Sequence, residues 1–309
     1  MRKKVAKSKI SYSKKPSFKW VIFFIIGLGL GIILFLIFLF LKKPQKHIAQ
    51  ALVNPINKKV YYDQQAFKEP KGLVKGASSS RTKLKIPIIM YHYVEYVKDT
   101  NDTIRKSLSV TPSSFQKELE ALNENHYQTF FLKDVPDILN GKINYSTYSA
   151  ILTFDDGYED FYTDAFPLLK RYQVKSTIFI INNYIGRKGF LNKSQIQELI
   201  DSNLVEIGSH TLNHVYLKTA SEKLAQKEIV ESKLDLEKTF GISVKTFAYP
   251  FGAFSQQTID LIKGATFSAA VSVLPGSLQN EENLFYLSRI RSGMFSGGNI
   301  TRVLESYKK

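Results

Sequence analysis

No cysteine occurs among the 309 residues. Its absence excludes disulfide frameworks, cysteine-ligated zinc, thiol catalysis and lipid attachment through an N-terminal cysteine. The compartment stays open, because exported proteins can do without disulfides. Histidine is scarce, with five in the chain, so each one bears on any metal or acid–base reading. Acidic residues are missing from the first 62 positions, Asp63 being the first, while 13 of the 43 Lys+Arg fall there. The rest of the chain holds 30 basic against 27 acidic residues, so the net charge of +16 belongs to an N-terminal tail. The nearly neutral remainder lacks the basic face that nucleic-acid binding requires, and no nucleic-acid partner is expected. A hydrophobic share of 44% with 13% aromatics excludes wholesale disorder.

Residues 20–41 form an apolar run without charge or proline, about the length a helix needs to cross a bilayer. Eight Lys+Arg precede it, and Lys42, Lys43 and Lys46 follow. The heavier N-terminal charge should stay in the cytoplasm. The expected organisation is a basic cytoplasmic tail (1–19), a single transmembrane helix (20–41), an extracellular stem (42–84) and a catalytic domain (85–309) on the outer side of the cell membrane. The stem reading rests on Pro44, Pro55, Pro70, Gly72, Gly76 and the Ser78-Ser79-Ser80 run. A cleaved signal peptide ending at Ala49-Gln50-Ala51 is the competing reading. Against it, the apolar run exceeds the roughly 7–15 residues of a signal core, and lysines separate it from that site.

From residue 85 onward, short β-rich runs alternate with amphipathic stretches. The pattern predicts strands over 86–93, 150–154, 176–181, 204–208, 246–249, 267–273 and 286–291. It predicts helices over 113–125, 161–172, 193–201, 221–240, 255–263 and 301–309. Repeated strand–helix units imply an α/β fold, a distorted (β/α) barrel of about seven parallel strands. A doubly wound open sheet is the structural alternative.

The chemically distinctive residues fall where strands stop: His92, the Asp155-Asp156 pair, His210 and Tyr249. In a parallel barrel those points share one rim, where active sites form. Thr153-Phe154-Asp155-Asp156-Gly157-Tyr158 places two carboxylates at a turn, and both ionise together only beside a cation or a shared proton. A solvated acidic turn would carry the same residues. His210-Thr211-Leu212-Asn213-His214 spaces two imidazoles at i, i+4, which a helical turn would set on one side to share a divalent metal. Two surface histidines are the plain alternative. With one oxygen from the acidic pair, the donor set leaves positions open for water and substrate, as a catalytic zinc needs.

Phe247-Ala248-Tyr249-Pro250-Phe251-Gly252 reads as core plus turn, or as a cleft wall offering the Tyr249 backbone N–H to a developing oxyanion. Pro87-Ile88-Ile89-Met90-Tyr91-His92-Tyr93 ends a buried strand in one imidazole. Such a histidine is either a satisfied core residue or, on the rim, a general acid. His126 reads as a turn residue.

In this order the motifs resemble the polysaccharide deacetylases of carbohydrate esterase family 4, the NodB-homology domain, over about 86–292. The resemblance implies Asp155 as catalytic base and Asp156, His210 and His214 as ligands of an ion, usually zinc. Many members carry the acid histidine near the C-terminus, but none follows His214 here. A Met-Tyr-His strand ahead of the acidic motif instead resembles the circularly permuted branch that includes the poly-N-acetylglucosamine deacetylases of biofilm formation, which makes His92 the acid. The arginine often found before the Tyr-Pro turn is also absent. Arg289 or Arg291 is expected to supply the charge that orients Asp155, with Tyr158, Pro250 and Phe251 lining the substrate cleft.

The reaction implied is metal-assisted hydrolysis of N-acetyl groups on an extracellular amino-sugar polysaccharide. Poly-N-acetylglucosamine stands ahead of peptidoglycan and chitin-like oligomers, and a polysaccharide synthase or export machinery is an expected partner. The rival from another class is a membrane-tethered glycan-binding module with little turnover. Retention of both carboxylates and all three site histidines counts against it.

Overall fold

The computed structural model describes residues 84–292 and 299–306. The expected tail, membrane helix and nearly all of the stem lie outside the described residues, as do the last three positions of the chain. Among the described residues no helix is long and apolar enough to cross a membrane.

Eight strands build the main sheet: β1 (Ile88–Tyr91), β2 (Gln128–Phe130), β3 (Ser149–Phe154), β4 (Ser176–Ile180), β5 (Val205–Ser209), β6 (Thr246–Ala248), β7 (Ala269–Pro275) and β8 (Leu287–Arg291). Seven of them close a ring in the order β1-β8-β7-β6-β5-β4-β3, and β3 returns to β1. Every pairing is parallel. The register from Ile88↔Ile151 to Tyr91↔Phe154 makes the closure, so an open sheet is excluded. Distortion is local: β5 meets β6 only at Ser209↔Phe247, and β7 slips against β8 between Val271 and Pro275. The eighth strand, β2, pairs with the first half of β3 alone. It was not expected, because Gln128-Thr129-Phe130 is too short and polar to read as an apolar run.

The helices begin where hydroxyl and amide side chains satisfy their first N–H groups. Thr111 caps Pro112–Glu124, Asn192 caps Lys193–Asp201, Ser221 caps Glu222–Phe240 and Ser255 caps Gln256–Gly264. The first of these was expected to start at Ser113. Thr111 takes the cap because Pro112, which has no N–H to satisfy, fits the first helical position. The expected helix over 161–172 is a wider turn, Phe161–Ala165, running into Phe166–Tyr172. Short helices Thr103–Leu108 and Val135–Leu139 were not expected.

Strand alternation sorts the side chains into two cores. Ile88, Ile151, Phe179, Val271 and Leu287 fill the barrel interior. Ile89, Leu152, Ile178, Phe247 and Ile290 pack outward beneath the helices. Burying a side chain such as Phe179 stabilises the fold by about 1.5–3 kcal/mol. Gly208 shares the inward parity because a Cβ there would stand 2.5 Å from Phe179 Cδ1. The same parity carries Arg289 within β8, and His92, Asp155 and His210 just past the ends of β1, β3 and β5, to the inside of one rim.

Candidate metal centre and catalytic cleft

At the end of β3 the chain turns sharply. Asp156 and Gly157 both take positive φ, 75° and 74°. A Cβ at Gly157 would approach Ile180 Cδ1 to 3.0 Å, so both backbone shape and space select glycine there. The turn sends the two adjacent carboxylates to different partners.

Asp155 faces Arg289. The guanidinium donates to Oδ1 at 2.8 Å and to Oδ2 at 2.7 Å, while its Nε donates to the Ser272 carbonyl at 2.7 Å. Nη1 also donates to Thr153 Oγ1 at 3.2 Å, and that hydroxyl donates to the Ile89 carbonyl. Arg289 is 2% exposed and Asp155 4%. Burial pushes the Asp155 carboxyl up, but the charge and hydrogen bonds of Arg289 outweigh it, so the group lies below its ordinary value and stays ionised. Of the two arginines expected to orient this carboxylate, Arg289 makes the contact. Arg291 is half-buried, and its charge is felt at His92.

His92 Nε2 stands 3.9 Å from Asp155 Oδ2. Burial lowers the imidazole pKa, Asp155 and Asp156 pull it up, and Arg289 and Arg291 push it down; the net is below the ordinary histidine value. His92 is therefore neutral at pH 7 and able to receive a proton.

Asp156 faces the two other histidines. His210 Nε2 lies 3.2 Å and His214 Nε2 3.3 Å from the same oxygen, Oδ1. His210 Nδ1 sits 2.7 Å from the Ala248 carbonyl. A carbonyl only accepts, so that nitrogen carries the proton and Nε2 of the neutral ring presents its lone pair. Asp156 Oδ1 is buried with no hydrogen-bond partner. Three electron-pair donors, this orphaned oxygen and the two imidazole nitrogens, thus converge within 4.8 Å of one another. That arrangement fits a divalent cation. The carboxylates make the site favour positive charge: burial lowers the His210 pKa, yet Asp156 and Asp155 raise it on balance.

The i, i+4 spacing works without a helix. Thr211 and His214 have φ of 68° and 56°, and the His214 N–H donates to Thr211 Oγ1 at 2.9 Å. The expected helical turn is thus corrected to a non-helical one with left-handed residues at Thr211 and His214, and the two imidazole rings lie 4.9 Å apart.

The role expected of Tyr249 is overturned. Its backbone N–H donates to the Val271 carbonyl at 3.2 Å as part of the β6–β7 ladder, and its hydroxyl donates to the Phe285 carbonyl at 2.9 Å. With the side chain 1% exposed, it packs in the core and offers nothing to an oxyanion. The next residues do flank the cleft. Pro250 is buried in the turn, and Phe251, at φ 60°, places its ring 4.5 Å from the His214 ring. On the other side Tyr158 stacks on Tyr93 at 3.9 Å, and Arg105 lies 4.3 Å over the Tyr93 ring. Burial first, and then the Asp156 charge, raise the Tyr158 phenol pKa and keep it protonated.

A family model described as polysaccharide deacetylase matches residues 142–270. That span holds Asp155, Asp156, His210 and His214 and leaves out His92 and Arg289. The Bacillus subtilis protein YxkH, named as a polysaccharide deacetylase, is 31% identical over 225 residues, covering 72% of this chain and 77% of its own. A Staphylococcus aureus protein named poly-beta-1,6-N-acetyl-D-glucosamine N-deacetylase is 29% identical over 198 residues, covering 60% and 68%. Among solved structures, the Streptococcus pyogenes deacetylase PplD in complex with acetate superposes with a TM-score of 0.67 at 28% identity, over 74% of this chain and all of that one.

Proposed function

The chain belongs to the polysaccharide deacetylase family of hydrolytic enzymes, and on that premise we propose that it removes N-acetyl groups from extracellular poly-N-acetylglucosamine with the help of a bound zinc ion. The observation that carries this reading is the division of labour between neighbouring carboxylates. Asp155 is clamped by Arg289 and faces His92, while Asp156 faces two imidazole nitrogens. The Staphylococcus aureus relative's named substrate favours this polymer over peptidoglycan or chitin oligomers. The proposed setting is the outer face of the cell membrane, with residues 20–41 as the anchor and a polysaccharide synthase or exporter nearby.

A zinc ion held by Asp156, His210 and His214 would supply a Lewis acid that acidifies a water and steadies negative charge on the acetamide oxygen. The side chains handle the protons. Ionised Asp155 removes a proton from the water as its oxygen bonds to the acetamide carbon. Neutral His92, 3.9 Å away, takes that proton from Asp155 and delivers it to the nitrogen as the carbon–nitrogen bond breaks. Acetate and a free amine result.

The test is acetate release by the full-length chain from poly-β-1,6-N-acetylglucosamine, peptidoglycan, chitin oligomers and acetylated xylan. Each is assayed before and after chelation and again with zinc restored. Release from the first polymer that stops on chelation and returns with zinc supports the reading. Release confined to another polymer reassigns the substrate, and release undiminished by chelation refutes the metal's role.

A further inference from the structure

At the end of the barrel away from the catalytic rim, a cavity of about 360 Å³ opens between the segment entering β2 and the turn entering β4. Gln128 begins β2 and Lys175 immediately precedes β4, so the cavity lies at the N-terminal ends of two strands whose parallel neighbours, β3 and β5, carry Asp155 and His210 just past their C-terminal ends. None of its lining residues takes part in the cleft described above.

The lining has a definite chemistry. Its floor is apolar, from Leu122 and Val174, both buried. Two half-buried tyrosines, Tyr127 and Tyr172, stand over that floor. Tyr127 meets Tyr148, which is 47% exposed, edge-to-face at 5.6 Å and extends the aromatic surface outward. Exposed amide side chains, Asn123, Gln128 and Gln173, form the rim, and no carboxylate lines the cavity. Gln173 holds φ 53° just after the Phe166–Tyr172 helix, and its Nε2 donates to the Lys170 carbonyl at 2.7 Å.

Apolar floor, aromatic faces and neutral hydrogen-bonding groups match the surface of a pyranose ring, with its C–H faces and its hydroxyl and acetamido edges. A phosphate or nucleotide would call for more than one cation, and Lys175 alone lines the site. We infer that this cavity is a second glycan-binding site that holds a distal stretch of the polymer whose acetyl groups are removed at the rim. The inference rests on the proposed function for the identity of the sugar. β3, six residues long, rises roughly 20 Å, so only a chain long enough to pass from one end of the barrel to the other engages both sites. Tethering at one site then raises the effective concentration at the other.

The probe is a ladder of N-acetylglucosamine oligomers up to the polymer, with full-length wild-type protein and an N123A/Q128A/Q173A variant, whose altered residues are all exposed. With the hydrogen bonds of three side chains lost, the triple variant is expected to raise KM for the polymer at least tenfold. kcat, and kcat/KM on dimers, should stay within twofold of wild type. A second variant, Tyr172→Ala, should repeat that split. Binding measured calorimetrically in an Asp155→Asn background, which blocks turnover, should show two sites on long oligomers and one in the triple variant. Equal polymer KM and equal stoichiometry in wild type and the triple variant would overturn the second site. Loss of dimer turnover in the triple variant would overturn it too, by showing that the change reaches the catalytic end. Wild type inactive on every oligomer would refute the function itself, while the two-site isotherm would still test the cavity.

Discussion

Replacing Arg289 by glutamine tests how this cleft keeps its base ready. The guanidinium is buried and gives Asp155 two hydrogen bonds, with further bonds to Thr153 and Ser272. Glutamine cannot replace that fork, and a buried carboxylate left without its partner costs about 3–5 kcal/mol. The cost should depend on pH with a definite sign. In the wild type Asp155 is depressed below its ordinary value; the stability it contributes is present above the unfolded pKa and lost as pH falls through the folded one. In R289Q burial, the largest influence on Asp155, is opposed only by the charges of His92 and His210; the folded pKa is expected to rise above the unfolded value, and stability instead falls as pH climbs through that window. The gap between the two proteins, read from urea unfolding, should therefore be small near pH 4 and reach several kcal/mol at neutral pH. Activity should follow, with the acidic limb of kcat/KM moving to higher pH. Arg289→Lys should recover little, because an ammonium cannot grip both oxygens. An unmoved acidic limb together with a pH-independent stability gap would refute the reasoning.

Asp155→Asn should abolish acetate release while zinc affinity stays within a few fold; metal loss in step with activity would dissolve the division of roles between the two carboxylates. His92→Ala should slow turnover by about 10²–10⁴, leaving zinc binding unchanged, and a pH–rate profile identical to wild type would remove it from the proton path. A fourth test lies away from the site. Burial pushes Glu118 up to about 8, against the lowering effect of its Tyr91 hydrogen bond, so wild-type stability should decline between pH 4.5 and about 8. Glu118→Gln should flatten that decline, by about 5 kcal/mol at most. Parallel urea midpoints against pH for the two proteins would show that Glu118 is not the titrating group.

Much of the site was legible because barrel geometry turns sequence alternation into position. His92, Asp155 and His210 each end an apolar run, and their inward parity can be counted from Ile88, Ile151 and Gly208. What stayed hidden depends on contacts between distant segments. The ladder register that commits the Tyr249 N–H to Val271 cannot be read from Phe247-Ala248-Tyr249. Nor can the left-handed residues Thr211 and His214, which do the work assigned to a helical turn. Arg289 and Arg291 share one parity, so alternation cannot choose between them; depth does, since Arg289 is almost fully buried while Arg291 is half-exposed. Glu206 was passed over although it interrupts the apolar run Val205–Ile207. Inside the barrel its carboxylate accepts from Thr177, Thr246 and the Lys133 N–H, partners on other strands and on the short helical turn Leu132–Asp134.

Zinc titration followed by X-ray absorption at the metal edge addresses the convergence of donors most directly. The geometry of Asp156, His210 and His214 calls for one tightly held ion per chain with two nitrogen ligands and at least one oxygen, and for its loss in both His210→Ala and His214→Ala. A full-length, folded protein that takes up no zinc at this site, or holds it equally well without either imidazole, would contradict the account.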